Sequence, residues 1–197
     1  MKFSTKEKFL RKKDSKLKKI IDSNGHIYFN PSKKNQFDTL VGIVISQFIS
    51  TKAANAIFKK IKENFNAEYL NEIHFKNMSI SEIKKLGLST NKSKTIKEIS
   101  NFYLNEKNKD LSKLDNETLY QTLLSIFGIG PWSVQMFEIF CIGSLDIFSS
   151  KDAGLRLAMN NLNMVKKGSD WTAYEIYAKR WSPYRTIACI HLWKSVD

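Results

Sequence analysis

In Phe127-Gly128-Ile129-Gly130-Pro131-Trp132, two glycines flank one apolar residue, and this spacing could hold an anion. Glycine lets a backbone turn tightly and bring its N–H groups against a ligand. Pro131 opens the next helix without losing a hydrogen bond, and the positive N-terminal end of that helix lies at the same place. A phosphate fits the arrangement, and such a contact would read no base sequence. A plain corner between two helices is the competing reading. Further along, Asp152 falls in the first turn of a predicted helix, where the dipole favours the ionised form. A carboxylate there can stabilise a developing cation or orient a water, or simply end the helix as many aspartates do. Asp146 reads as a structural cap or hydrogen-bonding residue. Trp132, Trp193 and Met136, which follows Trp132 by one turn, offer electron-rich or soft surfaces. A tryptophan face attracts a cation by ~0.5–2 kcal/mol; the same residues at helical spacing also suit a core.

Other chemistries have little support. His26, His74 and His191 are not at metal-ligand spacing, so no metal is expected. Cys141 and Cys189 are too few for a disulfide framework or a four-cysteine site, and both sit in apolar surroundings as buried thiols of a reducing compartment. The N-terminus lacks an apolar core of signal-peptide length. The most apolar stretch, Leu123 to Phe148, carries Gly128, Gly130, Pro131, Gln135, Glu138 and Asp146, a set that no membrane helix would hold uninterrupted. An intracellular protein is expected, in the cytoplasm and nucleoid, or in the nucleus of a eukaryote.

The elements that must position these residues are helical. With 8 Gly and 3 Pro in 197 residues, the chain is short of the turns that a β-sandwich or barrel needs. Its net charge of +13 and pI near 9.6 point to a polyanionic partner, although a Lys-rich surface also follows from AT-rich coding. One domain of two small lobes is the size expectation. The basic run Lys6–Lys19 reads as a helix or as a loosely docked arm over residues 1–14, and Asn24-Gly25 as a helix C-cap. His26 to Pro31 is an extended connector. Phe37, Leu40, Val41, Val44, Ile45, Phe48 and Ile49 recur at helical steps and predict one central helix. Helices follow over 52–65, 79–86, 93–103 and 116–127, the last with Asp115 as cap and Phe127 inward. Others are predicted from Pro131 to about Cys141, from a cap at Ser149 or Ser150 over a stretch containing Asp152, Leu155, Leu157 and Ala158, over 170–181, and from Ser182-Pro183 onward. The total is some nine helices in an all-α fold.

Four segments resemble one family and occur along the chain in that family's order. Phe127 to Val134 is similar to the helix-hairpin-helix of the HhH-GPD DNA glycosylases, the motif spanning about 116–141 here. Asp146-Ile147-Phe148-Ser149-Ser150-Lys151-Asp152-Ala153-Gly154-Leu155-Arg156 resembles the segment carrying that superfamily's catalytic aspartate. Phe37-Asp38-Thr39-Leu40-Val41 through Gln47-Phe48 to Ala53-Ala54 is similar to its central helix pair. Trp181-Ser182-Pro183-Tyr184-Arg185 and His191-Leu192-Trp193 resemble the C-terminal helix of the 3-methyladenine glycosylase II branch. The likeness runs over roughly residues 15–194. It implies a two-lobed helical fold with its active-site cleft between the lobes, lacking the N-terminal β-lobe of larger members, since only 36 residues precede Phe37.

The resemblance also implies a reaction. A base inside a duplex must be flipped out before C1′ can be reached. Phe48 is then the wedge that fills the gap, with Gln47 beside it. Gly128, Ile129, Gly130 and Lys151 would meet DNA, with Lys166, Lys167 and Arg185 as further phosphate contacts. Asp152 is the catalytic carboxylate. Trp132, Met136, Trp193 and Tyr184 line the pocket for a cationic base, roomier beside Ala153 than in relatives with an aromatic there. Trp132 stands where bifunctional members carry a Schiff-base lysine, so no lyase step is expected. No four-cysteine iron–sulfur loop is present in the sequence. The implied activity is monofunctional excision of N-alkylated purines such as 3-methyladenine from double-stranded DNA, by a monomer without a cofactor, with a monovalent cation at the hairpin backbone as the one ion in prospect. Excision of an oxidised or deaminated base is the first competing expectation, and a noncatalytic DNA-binding module the second.

Overall fold

The computed structural model describes residues 3–105, 108 and 110–196. Every regular element among them is helical, with twelve α-helices where some nine are expected. The chain divides into two compact units, one of residues up to Asn30 and from Gly143 onward, the other Pro31–Ile142. The first unit is discontinuous, made from both ends of the chain.

The first unit contains α1 (Thr5–Lys13), α2 (Ser15–Asn24), α10 (Ala153–Asn161), α11 (Trp171–Ala178) and α12 (Arg185–Trp193), with a 3₁₀ turn over Lys179–Trp181. The prospect of a loosely docked N-terminal arm is corrected here. Its lysines hide one apolar stripe, and Leu10, Leu17 and Ile21 are fully buried among Leu155, Met159, Trp181, Ala188 and Leu192. Ser4 opens α1 with a capping box to Glu7, and Asp14 caps α2 through the N–H groups of Lys16 and Leu17. The other oxygen of Asp14 accepts the indole N–H of buried Trp181 at 2.9 Å. One aspartate therefore ends a helix and satisfies the largest core side chain. Gly25 leaves α2 with φ +70°, as the C-cap reading requires.

Glu7 is the polar centre of this unit. Its fully buried carboxylate accepts the N–H groups of Ser4 (2.7 Å) and Ile27 (3.0 Å), His26 Nδ1 (2.7 Å) and His191 Nε2 (3.2 Å). His191, in turn, accepts the Asn24 amide at Nδ1, the pattern of a neutral imidazole. Burial alone would raise the Glu7 carboxyl, but the donors from Ile27, Ser4 and His26 outweigh it and hold it at about 2. Burial also pushes His191 below its ordinary value, against the pull of Glu7. Both shifts have the same consequence. The unfolded chain binds these protons more readily, so the stability they confer is complete above about pH 6.5. It is then lost as pH falls, first through histidine protonation and then between about 4.5 and 2. Glu7→Gln should cost about 1–3 kcal/mol at neutral pH, through weakened hydrogen bonds to the lost carboxylate, and flatten the acid limb of the melting temperature plotted against pH, measured by circular dichroism.

The second unit is built around α3 (Gln36–Ser46), whose Leu40, Val41, Val44 and Ile45 have no exposure. It packs against α4 (Thr51–Asn64), α7 (Thr90–Tyr103) and α9 (Pro131–Phe137). Between them lie α5 (Glu72–Lys76), which sequence periodicity does not reveal in five residues, α6 (Ile80–Lys85) and α8 (Asn116–Leu124). Ser50, Ser79, Ser89 and Asp115 accept the N–H groups that begin α4, α6, α7 and α8. After α9 the chain widens into a π turn over Glu138–Ile142. Two expectations need correction. The central helix stops at Ser46, so Phe48 and Ile49 lie beyond it; Phe127 follows α8 and is exposed. A periodic sequence pattern carries on past a helix end because periodicity alone does not record where capping or a turn breaks the hydrogen-bond ladder.

Candidate active site

Asp152 stands two or three positions nearer the helix start than a cap at Ser150 or Ser149 would put it. It is the N-cap of α10, outside the first turn, and neither Ser149 nor Ser150 serves as the cap. Its Oδ1 accepts the N–H of Leu155 at 2.8 Å and the indole Nε1–H of Trp193 at 2.9 Å. Only 9% of the residue is exposed. A carboxylate so placed is oriented by two donors and faces the positive end of α10. It can stabilise positive charge or hold a water, and a buried site strengthens both effects.

Asp146 serves a different purpose. It forms a two-pronged ion pair with Arg185, Nε to Oδ1 at 2.8 Å and Nη2 to Oδ2 at 3.1 Å, and accepts the Ser182 hydroxyl at 2.8 Å. Burial would raise this carboxyl, but Arg185 and Ser182 hold it below its ordinary value. Asp146 therefore ties the connection before α12 to that helix, as the structural reading expects, and the Arg185 guanidinium is committed to it. Neither thiol is a nucleophile at neutral pH: burial pushes Cys141 up to about 12 and raises Cys189 further. Among the described residues no group of three or more His, Cys, Asp or Glu could hold a metal ion.

In the second unit the hairpin is held from inside at one glycine only. Gly128 has φ +81°, and a Cβ there would lie 1.9 Å from the hydroxyl oxygen of Thr95 on α7. Gly130 is extended, at φ −112° and ψ 176°, and a Cβ there would meet nothing within 4 Å. Packing explains Gly128; nothing among the described residues requires glycine at 130. The Ile129 and Met136 side chains are buried, so Ile129 can offer a ligand only its backbone and Met136 belongs to the core. Trp132 is half-buried on the first turn of α9.

Gln47 and Phe48 part company. The Gln47 side-chain amide turns back and donates to the Gly128 carbonyl at 3.1 Å and to Ser133 Oγ at 2.9 Å. Phe48 is fully exposed and has φ +59°, a conformation that costs a bulky L-residue about 1–2 kcal/mol. The Lys92 ammonium donates to the Ile45 carbonyl at 2.7 Å and so closes the end of α3 just before this turn. An aromatic ring held outward in a strained conformation, with no burial to offset it, is a mark of function rather than folding. In the first unit Tyr184 precedes α12, half-buried, its ring edge-on to Phe9 with centroids 5.3 Å apart. Lys151 is exposed and rests its ammonium over the Trp171 ring at 5.3 Å. Sequence reasoning missed the Trp193–Asp152 bond, the Gln47 tie to the hairpin and the Thr95 contact, because no local pattern marks them.

An all-helical fold, a two-glycine hairpin between α8 and α9, and a buried carboxylate at the head of α10 define a class of helix-hairpin-helix protein. The model of the HhH-GPD superfamily base excision DNA repair proteins matches residues 41–183, and the chain belongs to that family. It is 28% identical over 188 residues to DNA-3-methyladenine glycosylase 1 of Schizosaccharomyces pombe, covering 92% of this chain and 82% of that protein. It resembles the solved structure of the S. pombe 3-methyladenine DNA glycosylase in complex with abasic DNA, with a TM-score of 0.88 and 26% identity over 98% of this chain and 96% of that one. A DNA-3-methyladenine glycosidase from Bacillus halodurans superimposes with a TM-score of 0.75 at 29% identity, covering 98% and 89% of the two chains. No helix among the described residues is long and apolar enough to cross a membrane.

Proposed function

We infer that this protein is a monofunctional DNA glycosylase that releases N-alkylated purines such as 3-methyladenine from double-stranded DNA in base excision repair. The observation that carries the reading is the Asp152 carboxylate, oriented at the head of α10 by Leu155 and Trp193 within the segment matched to the family. An alkylated purine carries positive charge and leaves as a neutral base, so departure needs no general acid. The C1′–N bond breaks with its electrons going to the base. The sugar is left as an oxocarbenium-like cation, which Asp152 stabilises. Water then adds at C1′ and its proton passes to the carboxylate or to solvent, leaving an abasic site in an intact strand. Water is the second reactant, so the reaction as proposed takes no cofactor. A monovalent cation at the hairpin carbonyls remains an accessory to this reading; the Gly128 carbonyl already accepts the Gln47 amide, and no step is routed through the ion.

In this reading the net charge of +13 and the hairpin backbone around Gly128 and Gly130 hold phosphates, with Lys151 as a further contact. Phe48 fills the gap left by the flipped nucleotide while Gln47 ties its turn to the hairpin. Trp132, Trp193 and Tyr184 offer ring surfaces to a cationic base. The protein acts as an intracellular monomer. Release of free 3-methyladenine from methylated duplex DNA, resolved by chromatography, tests the reading. A protein that binds this DNA and releases no base refutes it, and release of an oxidised or deaminated base instead would change the substrate class. Phe48→Gly separates the wedge from the core. Relief of its strained backbone should raise stability by up to about 1 kcal/mol, while base release from paired duplex falls more than release from a mismatched or single-stranded substrate. Equal loss on both substrates would reject the wedge.

A further inference from the structure

We propose that Trp193 acts on this reaction through Asp152, as a positioning residue, and that Gly154 is the residue that makes room for it. The proposal rests on Asp152 being the catalytic carboxylate, and it changes the part that Trp193 plays, from a ring against the base to a donor against the carboxylate.

Three observations converge. The Trp193 Nε1–H donates to Asp152 Oδ1 at 2.9 Å, across 41 residues of sequence. The same oxygen accepts the Leu155 N–H at 2.8 Å. One capping bond leaves a carboxylate free to rock about its side-chain torsions; a second donor on the same oxygen, from a different helix, selects one orientation. The third observation is Gly154. Its backbone has no positive φ that would call for glycine, and it lies in the first turn of α10, where glycine costs about 0.5–1 kcal/mol relative to alanine. A side chain there would crowd the indole and the carboxylate themselves. A Cβ would stand 3.2 Å from Trp193 Cδ1, 3.3 Å from Asp152 Oδ1 and 3.6 Å from Trp193 Nε1. The edge of the indole that carries its N–H thus faces the carboxylate, and the missing Cβ at 154 lets the two approach. α10 and α12 are packed together, so the donor sits on a rigid element, as a positioning group must.

The two substitutions that test this remove the contact in opposite ways. Trp193→Phe keeps a ring and loses the N–H. Gly154→Ala keeps indole and carboxylate and forces them apart by a few tenths of an ångström. A hydrogen bond to a charged group accounts for about 10–100-fold in rate. Under single-turnover conditions with saturating enzyme, Trp193→Phe should therefore release 3-methyladenine from methylated duplex about 10–100-fold more slowly, and Gly154→Ala about tenfold more slowly. Affinity for abasic-site duplex should stay within about twofold for both, because neither change touches phosphate contacts. Gly154→Ala should still fold, because its neighbours need give by only a few tenths of an ångström. The indole N–H proton of Trp193, identified by its absence in Trp193→Phe, should shift upfield in Gly154→Ala, a readout that needs no substrate. Full rates in both variants of an active enzyme overturn the proposal and leave the function standing. So does a rate held by Trp193→Phe and lost, together with affinity, in Trp193→Ala, which is the behaviour of a stacking wall. A wild type that releases no base overturns the function and the proposal together, whatever the proton shift.

Discussion

Asp152→Asn should lower base release from methylated duplex DNA by at least about 10²–10³-fold while the protein folds as before and binds DNA as well or better. The geometry makes this substitution unusually clean. The hydrogen bonds from Leu155 and Trp193 both end on Oδ1, and an asparagine presents a carbonyl oxygen at the same place. Asparagine caps helices as well as aspartate does, so α10 keeps its start. What disappears is the negative charge, and with it the means of stabilising the cationic sugar. Loss of an anion beside phosphates cannot weaken a counterion-driven attraction, and the net charge rises from +13. Asp152→Ala would be a poorer experiment: it removes both Oδ1 contacts and the cap, at about 1 kcal/mol, and mixes catalysis with stability. Unchanged turnover in the asparagine variant, with binding and folding intact, would take the catalytic role away from Asp152.

The hairpin glycines should separate in the same manner, by stability rather than chemistry. Gly128→Ala meets Thr95 Oγ1 at 1.9 Å and places a Cβ on a backbone of φ +81°. Left-handed strain and overpacking against buried Thr95 together should cost about 2–4 kcal/mol, or roughly 5–15 °C in melting temperature for a chain of this length. Adding Thr95→Ala should recover the steric part and leave the backbone part. Gly130→Ala meets nothing, and its stability should stay within about 0.5 kcal/mol of the parent. DNA affinity should nevertheless fall, because the added methyl stands where a phosphate would approach the backbone. Calorimetry and a DNA titration on the two variants decide it. Equal stability loss at both positions would mean that Gly130 also serves the fold, and unchanged DNA affinity in a stable Gly130→Ala would remove the hairpin from the DNA contact.

Much of this was legible from local pattern. The helices over 51–64, 80–85 and 116–124 show themselves because an apolar stripe and a capping side chain are both properties of residues within four positions of one another. The two-glycine hairpin and the aspartate downstream are likewise short strings, and as an ordered set they place the chain in its family. Local pattern failed where a periodic run outlasted its helix, as at Phe48 and Phe127, and where an element was too short to have a period, as in Glu72–Lys76. It also left the basic N-terminal run undecided, since nothing near Leu10 announces the core that covers it.

Sequence alone determined the class of fold, the order of its helices, the sign of its partner's charge and the residue types from which a site could be made. Tertiary structure decided what each of those residues touches. Glu7 meets His191 across 184 residues, Trp193 meets Asp152 across 41, and Gln47 meets the hairpin across 81. Capping and periodicity are interactions along the chain, and they repeat often enough to leave a signature. A hydrogen bond between distant helices is made once, by the packing of the helices that carry it, and its two partners have no fixed spacing by which to be recognised.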